Sequence, residues 1–174
     1  MKELICYPSE ITSIVSQCPN HNFSKSENLE LEYLDDNNQL KIKNGLLKFN
    51  LHGCNIDISK FSSAKLYLYV DDVHSNDLHP CIKIKVFINN DDFTTCNSTW
   101  NNAPYCTGTR YHAEVCCNQI DKYLCIDISP LVIAWIAGSE NNYGITLSLL
   151  TEGAVNISAN DFIRQPYLYI ECRN

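Results

Sequence analysis

Apolar and polar side chains alternate in four separate runs of this chain, and that period of two restricts its fold more than any other feature. Lys65-Leu66-Tyr67-Leu68-Tyr69-Val70, Cys81-Ile82-Lys83-Ile84-Lys85-Val86-Phe87-Ile88, Gly144-Ile145-Thr146-Leu147-Ser148-Leu149 and Tyr167-Leu168-Tyr169-Ile170-Glu171-Cys172 each send successive residues to opposite faces of a sheet. Between the runs, Asp35-Asp36-Asn37-Asn38, Asn89-Asn90-Asp91-Asp92 and Asn141-Asn142 supply side chains that tolerate tight-turn backbones. The pattern predicts an all-β fold, a jelly-roll β-sandwich. One segment departs from it. Ser129 is placed to cap a short helix, Pro130 to start it and Gly138 to end it, with Leu131, Val132, Trp135 and Ile136 on one apolar face. That helix is expected to cap one end of the sandwich core.

A chain of 174 residues suits one domain that buries roughly 68–70% of the surface of its unfolded form. The expected division is an N-terminal arm over residues 1–10 and a sandwich domain over 11–174, because Pro8 separates Leu4-Ile5-Cys6-Tyr7 from a first core strand near Ile11 to Val15. An arm of this kind can add itself to the sheet edge of a neighbouring copy. The formal net charge of −7, without a Lys/Arg cluster, argues against a nucleic-acid partner. No apolar run approaches the roughly 18–20 residues of a membrane-spanning helix, so none is expected.

Ten cysteines are the second strong signal. The opening Met1-Lys2-Glu3-Leu4-Ile5-Cys6 lacks the pattern of a secretory signal, which predicts synthesis in a reducing cytoplasm and oxidation only after release to a cell or spore surface. Cys6 on the arm is the first candidate for a bridge between subunits and Cys172 the second. Cys116 and Cys117, adjacent in an extended segment, point to opposite sides, so that one can bond within the subunit and the other face a neighbour. Cys18, Cys54, Cys81, Cys96, Cys106 and Cys125 are the remaining disulfide candidates, each intramolecular bridge adding about 2–4 kcal/mol.

The order of motifs resembles the DNRLRE domain, a bacterial and archaeal β-sandwich module often grouped with carbohydrate-binding modules. The resemblance runs through Cys18-Pro19-Asn20-His21-Asn22-Phe23, Gly45-Leu46-Leu47-Lys48-Phe49-Asn50-Leu51, Ser63 to Val70, and Ser98-Thr99-Trp100-Asn101-Asn102-Ala103-Pro104. It continues through Ile126-Asp127-Ile128-Ser129-Pro130-Leu131-Val132, Trp135, Asn141-Asn142-Tyr143-Gly144-Ile145 and Arg164-Gln165-Pro166-Tyr167-Leu168-Tyr169-Ile170. The resemblance implies a sandwich fold with Trp100 and Trp135 filling its core. The string that gives the family its name is absent. A solitary, cysteine-rich copy is also similar to proteins laid on bacterial spores.

No catalytic constellation stands out, and the chain is read as a non-enzyme. His74, Asp77, His79 and Cys81, or Cys116-Cys117 with Cys125, are the zinc-ligand candidates, but the chain has no Cys-x-x-Cys pair, so no metal site is expected. Asp35-Asp36, Asp71-Asp72 and Asp91-Asp92 leave calcium as the one cofactor alternative to none. The leading expectation is a structural subunit that polymerises with itself through its arm and is locked by disulfides. The alternative is a carbohydrate-binding module for surface glycans, in which Tyr67 and Tyr69, or Tyr167 and Tyr169, form an exposed aromatic face.

Overall fold

The computed structural model describes residues 2–37, 39–76 and 80–173. Eleven strands and one α-helix follow in order: β1 (Lys2–Cys6), β2 (Pro8–Val15), β3 (Asn28–Asp36), β4 (Gln39–Phe49), β5 (Phe61–His74), β6 (Cys81–Asn89), β7 (Cys106–Cys116), β8 (Lys122–Asp127), α1 (Ser129–Ala137), β9 (Ile145–Leu149), β10 (Gly153–Ser158) and β11 (Tyr167–Cys172). All pairings are antiparallel. The path runs β1-β11-β5-β10-β3-β4-β9-β6-β7, with β2 flanking β4 and β8 flanking β5, so hydrogen bonds join every strand into one sheet curled onto itself. Folded over in this way, the sheet makes the all-β, sandwich-like fold that the alternation predicts.

β5 organises one wall. Its Leu66 pairs with Leu168 of β11 and with Ile126 of β8, which places those strands on opposite edges. Val70 likewise pairs with Lys122 of β8 and Ile157 of β10, so β10 and β11 lie end to end along the same edge. Inward-facing Ala64, Leu66, Leu68 and Val70 meet Ile82, Ile84 and Val86 of β6, Ile145 and Leu147 of β9, and Leu168 and Ile170 of β11, all of them fully buried in one cluster. Each such aliphatic side chain contributes about 1.5–3 kcal/mol of burial.

Alternation also explains a second, smaller core. Leu47 faces the main cluster, while its neighbour Leu46 points to the opposite side of β4 and packs with Ile14 and Phe93, with Trp100 and Ala103 against them. The loop after β6 lies over this face, pinned where Thr95 N–H donates to Glu10 (2.6 Å) and Ile11 N–H donates to the Thr95 hydroxyl (2.9 Å). Of the two tryptophans assigned to the core by resemblance, Trp135 is there. Trp100 instead closes the outer cluster, half-buried.

Two sequence expectations need correction. The N-terminal arm is not free: Lys2–Cys6 pairs with Cys172–Leu168 of the chain's own β11, because Leu4 and Cys6 can turn toward the core while the strand satisfies the backbone of an otherwise open edge. At the helix start, Ser129 does not cap. Asp127 Oδ1 accepts from Ser129 N–H (2.9 Å) and from its hydroxyl (2.6 Å), while Ser129 Oγ accepts from Ala64 N–H (2.8 Å) and ties the helix to β5. Gly138 ends the helix in the left-handed conformation, as expected.

One disulfide, Cys81–Cys116, staples β6 to the edge strand β7 at a directly opposed pair. It closes a separation of 35 residues, so the chain-entropy account assigns it about 4 kcal/mol. Removing it as the Cys81→Ala/Cys116→Ala pair is expected to lower the unfolding free energy by about 2–4 kcal/mol in urea titration. At Gly144, φ is +85° and an added Cβ would lie 2.3 Å from the Leu47 carbonyl oxygen. Gly144→Ala should therefore cost about 3 kcal/mol or more; a loss below about 0.5 kcal/mol would mean that β9 does not approach β4 this closely.

Candidate functional site

The outward face of β1, β11, β5 and β8 gathers tyrosines. Because Leu66, Leu68, Leu168, Ile170, Leu124 and Ile126 point inward, their neighbours Tyr67, Tyr69, Tyr167, Tyr169 and Tyr123 must point outward. Register then brings them together: Tyr67 lies opposite Tyr167 on one side and Cys125 on the other, and Tyr69 lies opposite Tyr123. The rings of Tyr67 and Tyr167 stack, with centroids 4.8 Å apart and planes 9° from parallel. Tyr123 meets Tyr167, Tyr69 and Tyr67 edge-on at 5.3, 5.1 and 6.2 Å. Tyr169 meets Tyr67 at 6.3 Å, and Tyr7, from the turn between β1 and β2, meets Tyr167 at 6.4 Å.

The four tyrosines singled out as two alternative pairs thus belong to one surface. Tyr7 and Tyr123, its most exposed members, were missed. For Tyr123 the signal existed, since Lys122-Tyr123-Leu124-Cys125-Ile126-Asp127 also alternates. For Tyr7 it did not, because a turn residue has no period to read.

The loop between β10 and β11 borders the surface. Arg164 sits over the Tyr69 ring at 4.9 Å, Tyr123 OH donates to the Ile163 carbonyl (3.1 Å), and the side chains of Phe162 and Ile163 are 90% and 84% exposed at the loop tip. Polar groups frame the rings. Glu171 accepts from the Ser63 hydroxyl (2.5 Å), Lys65 lies between Tyr169 and Asp127 in register, and the Glu3 carboxylate lies near enough to Tyr169 to act on its phenol. Burial first, then the neighbouring Glu3 carboxylate, pushes the Tyr169 phenol up to about 12. Burial also raises Tyr67, Tyr123 and Tyr167. At neutral pH the surface therefore carries un-ionised hydroxyls, each able to donate and accept a hydrogen bond.

A cavity of about 600 Å³ lies where α1 meets the end of β4 and is walled by Trp135, Glu10, Lys48 and Asn142. Most of its named polar groups serve the fold, although Trp135 Nε1 is buried there without a hydrogen-bond partner among the described residues. Glu10 accepts from Thr95 N–H, Lys48 pairs with Asp92 at 2.5 Å, and Asn142 Nδ2 donates to the Phe49 carbonyl at 2.7 Å.

The cysteines scatter rather than cluster. Cys116, a candidate for a bridge between subunits, is bonded to Cys81 within the chain, while Cys117 is exposed beside Ser75. Cys172 is buried, Cys6 is buried against half-buried Cys54, Cys106 is half-buried, and Cys18, Cys96 and Cys125 are exposed. Of the residues weighed for zinc, Asp77 and His79 lie outside the described residues, His74 pairs with Asp72 at 2.9 Å and Cys81 is committed to its disulfide. Among the described residues, no group of three or more His, Cys, Asp or Glu side chains is arranged to hold a metal ion.

The raised tyrosines give a pH prediction. An acid whose folded pKa exceeds its unfolded value near 10 leaves stability intact below about pH 10 and withdraws it as pH rises toward 12. Thermal unfolding should show no tyrosine-linked loss up to about pH 10 and a falling midpoint above it. Absorbance titration should show the Tyr169 fraction ionising after the free phenols; full ionisation by pH 10.5 would contradict the packing of Tyr169 against Glu3.

Among curated proteins, none matches this chain. The family model described as carbohydrate-binding module family 96 matches residues 6–172, from the end of β1 to the end of β11. The match agrees with the carbohydrate-binding character implied by the DNRLRE resemblance and leaves that particular family name unconfirmed. With nearly the whole fold inside it, the chain belongs to carbohydrate-binding module family 96.

Proposed function

We propose that the protein is a non-catalytic carbohydrate-binding module whose ligand lies across the tyrosine surface of β11, β5 and β8. The observation that carries this reading is the meeting of Tyr7, Tyr67, Tyr69, Tyr123, Tyr167 and Tyr169 on one outer sheet face in a chain of this family. Sugar rings present C–H-rich faces that are apolar and prefer aromatic partners to water, while their hydroxyls need the donors and acceptors that the phenols, Ser63, Lys65 and Glu171 supply. Glu3, Glu171, Asp71 and Asp161 outnumber Lys65 and Arg164 around the rings, which favours neutral chains over polyanionic ones. The family match supports this reading over a self-polymerising subunit, and β1, the segment assigned to a neighbour, is already used at home.

The test is titration calorimetry against a panel of soluble neutral and acidic polysaccharides. Binding should be found among the neutral chains. Tyr123→Ala and Tyr7→Ala, at the two most exposed rings, should each weaken it about tenfold, equivalent to about 1.4 kcal/mol; Tyr7→Ala should leave the unfolding midpoint nearly unchanged, while Tyr123→Ala, which also removes three ring contacts and the bond to Ile163, should lower it by the equivalent of about 1 kcal/mol. Glycan binding that survives both substitutions together would move the site elsewhere on the molecule.

A further inference from the structure

Cys6 and Cys54 are the free thiols that the fold brings together among the described residues: their Sγ atoms lie 3.6 Å apart, across 48 residues of sequence. Cys6 ends β1 and is only 8% exposed, inside the main core; Cys54 sits in the β4–β5 connection, half-buried against that core, its N–H bonded to the Leu51 carbonyl. The two segments share no strand pairing. What joins them here is the contact of two sulfurs, which a disulfide would draw in from 3.6 Å to roughly 2.05 Å.

We infer that Cys6 and Cys54 form a second disulfide site, which fastens the N-terminal edge strand to the β4–β5 connection when the protein meets a small-molecule disulfide. The step balances by thiol–disulfide exchange. The Cys54 thiolate, the more accessible sulfur, attacks one sulfur of the small disulfide, breaking its S–S bond and releasing one thiolate. The Cys6 thiolate then attacks Cys54 of the mixed disulfide and releases the second. Two protein S–H bonds and one small-molecule S–S bond are lost; one protein S–S bond and two small-molecule S–H bonds form. The protein is oxidised by two electrons and the small disulfide reduced by two. Burial first, then the neighbouring Cys54, pushes the Cys6 thiol up to about 12, so Cys6 is a poor first attacker and acts as the resolving sulfur.

The location gives the bond a consequence. β1 is an edge strand held along one side only, by β11, and a strand with a single pairing partner opens more readily than one paired on both sides. Cys6 directly precedes Tyr7, whose ring borders the tyrosine surface at Tyr167. The bridge therefore fixes both the strand and that aromatic neighbour. It also takes Cys6 out of any bond to another chain.

The test equilibrates the full chain, first fully reduced, with a buffer of oxidised and reduced glutathione, quenches it with acid, alkylates free thiols and maps the peptides by mass spectrometry. A Cys6–Cys54 linked peptide should appear in unit stoichiometry. In the same samples, hydrogen exchange across residues 2–6 should slow about tenfold relative to the reduced chain, a change that Cys54→Ser abolishes. Cys6 and Cys54 remaining alkylated while Cys81 and Cys116 oxidise would overturn the inference. So would Cys6 joined to any other cysteine, of the same chain or of a second one.

Discussion

Everything on the candidate ligand surface depends on how β5 pairs. Its fourteen residues receive β11 and then β10 along one edge and β8 along the other, and each register is fixed by a row of inward aliphatics that cannot reach solvent without a large burial loss. A slip of one residue in β11 or β8 would turn Leu168 and Ile170, or Leu124 and Ile126, outward and drive the tyrosines into the core. The hydrophobic face of the sheet therefore positions the aromatic face. The stack of Tyr67 on Tyr167 follows from the fit of Leu66 against Leu168 on the other side of the same strands.

This dependence also explains what was legible in the sequence. The fold class was, because an alternation such as Lys65 to Val70 states both that a strand exists and which of its side chains are buried. The outward direction of Tyr67, Tyr69, Tyr167 and Tyr169 was legible for the same reason. Their union into one surface was not, since it requires knowing that β11 and β8 flank β5, and strand neighbours far apart in sequence leave no local trace. Tyr7 and Arg164 lie on turns, where direction is set by tertiary contacts alone.

The N-terminal segment shows the other limit. Leu4-Ile5-Cys6-Tyr7 reads equally well as a strand for a neighbour's sheet and as one for its own. The choice rests on whether a partner edge lies within reach, and β11, the last strand of the chain, provides it. Strands β1 and β11, far apart in sequence, are thereby zipped together, and Cys6 meets Cys54 rather than an external thiol. The disulfide candidates divide in the same way. Sequence counts cysteines, but only the pairing of β6 with β7 sets Cys81 opposite Cys116 and leaves adjacent Cys117 outside.

The break between β10 and β11 has a further meaning. Both strands are anchored to the same edge of β5, at Val70 through Ile157 and at Tyr67 through Tyr167, so the ends of the connecting segment are held about 10 Å apart whatever its length. Closure entropy rises only about 0.6 kcal/mol for each doubling of a flexible loop. Residues 161–164, all exposed and carrying Phe162, Ile163 and Arg164 at the border of the tyrosines, are thus a cassette that evolution or a protein engineer can lengthen and rewrite to change what is recognised, while the scaffold beneath, buried Ala159 and Pro166 included, stays the same.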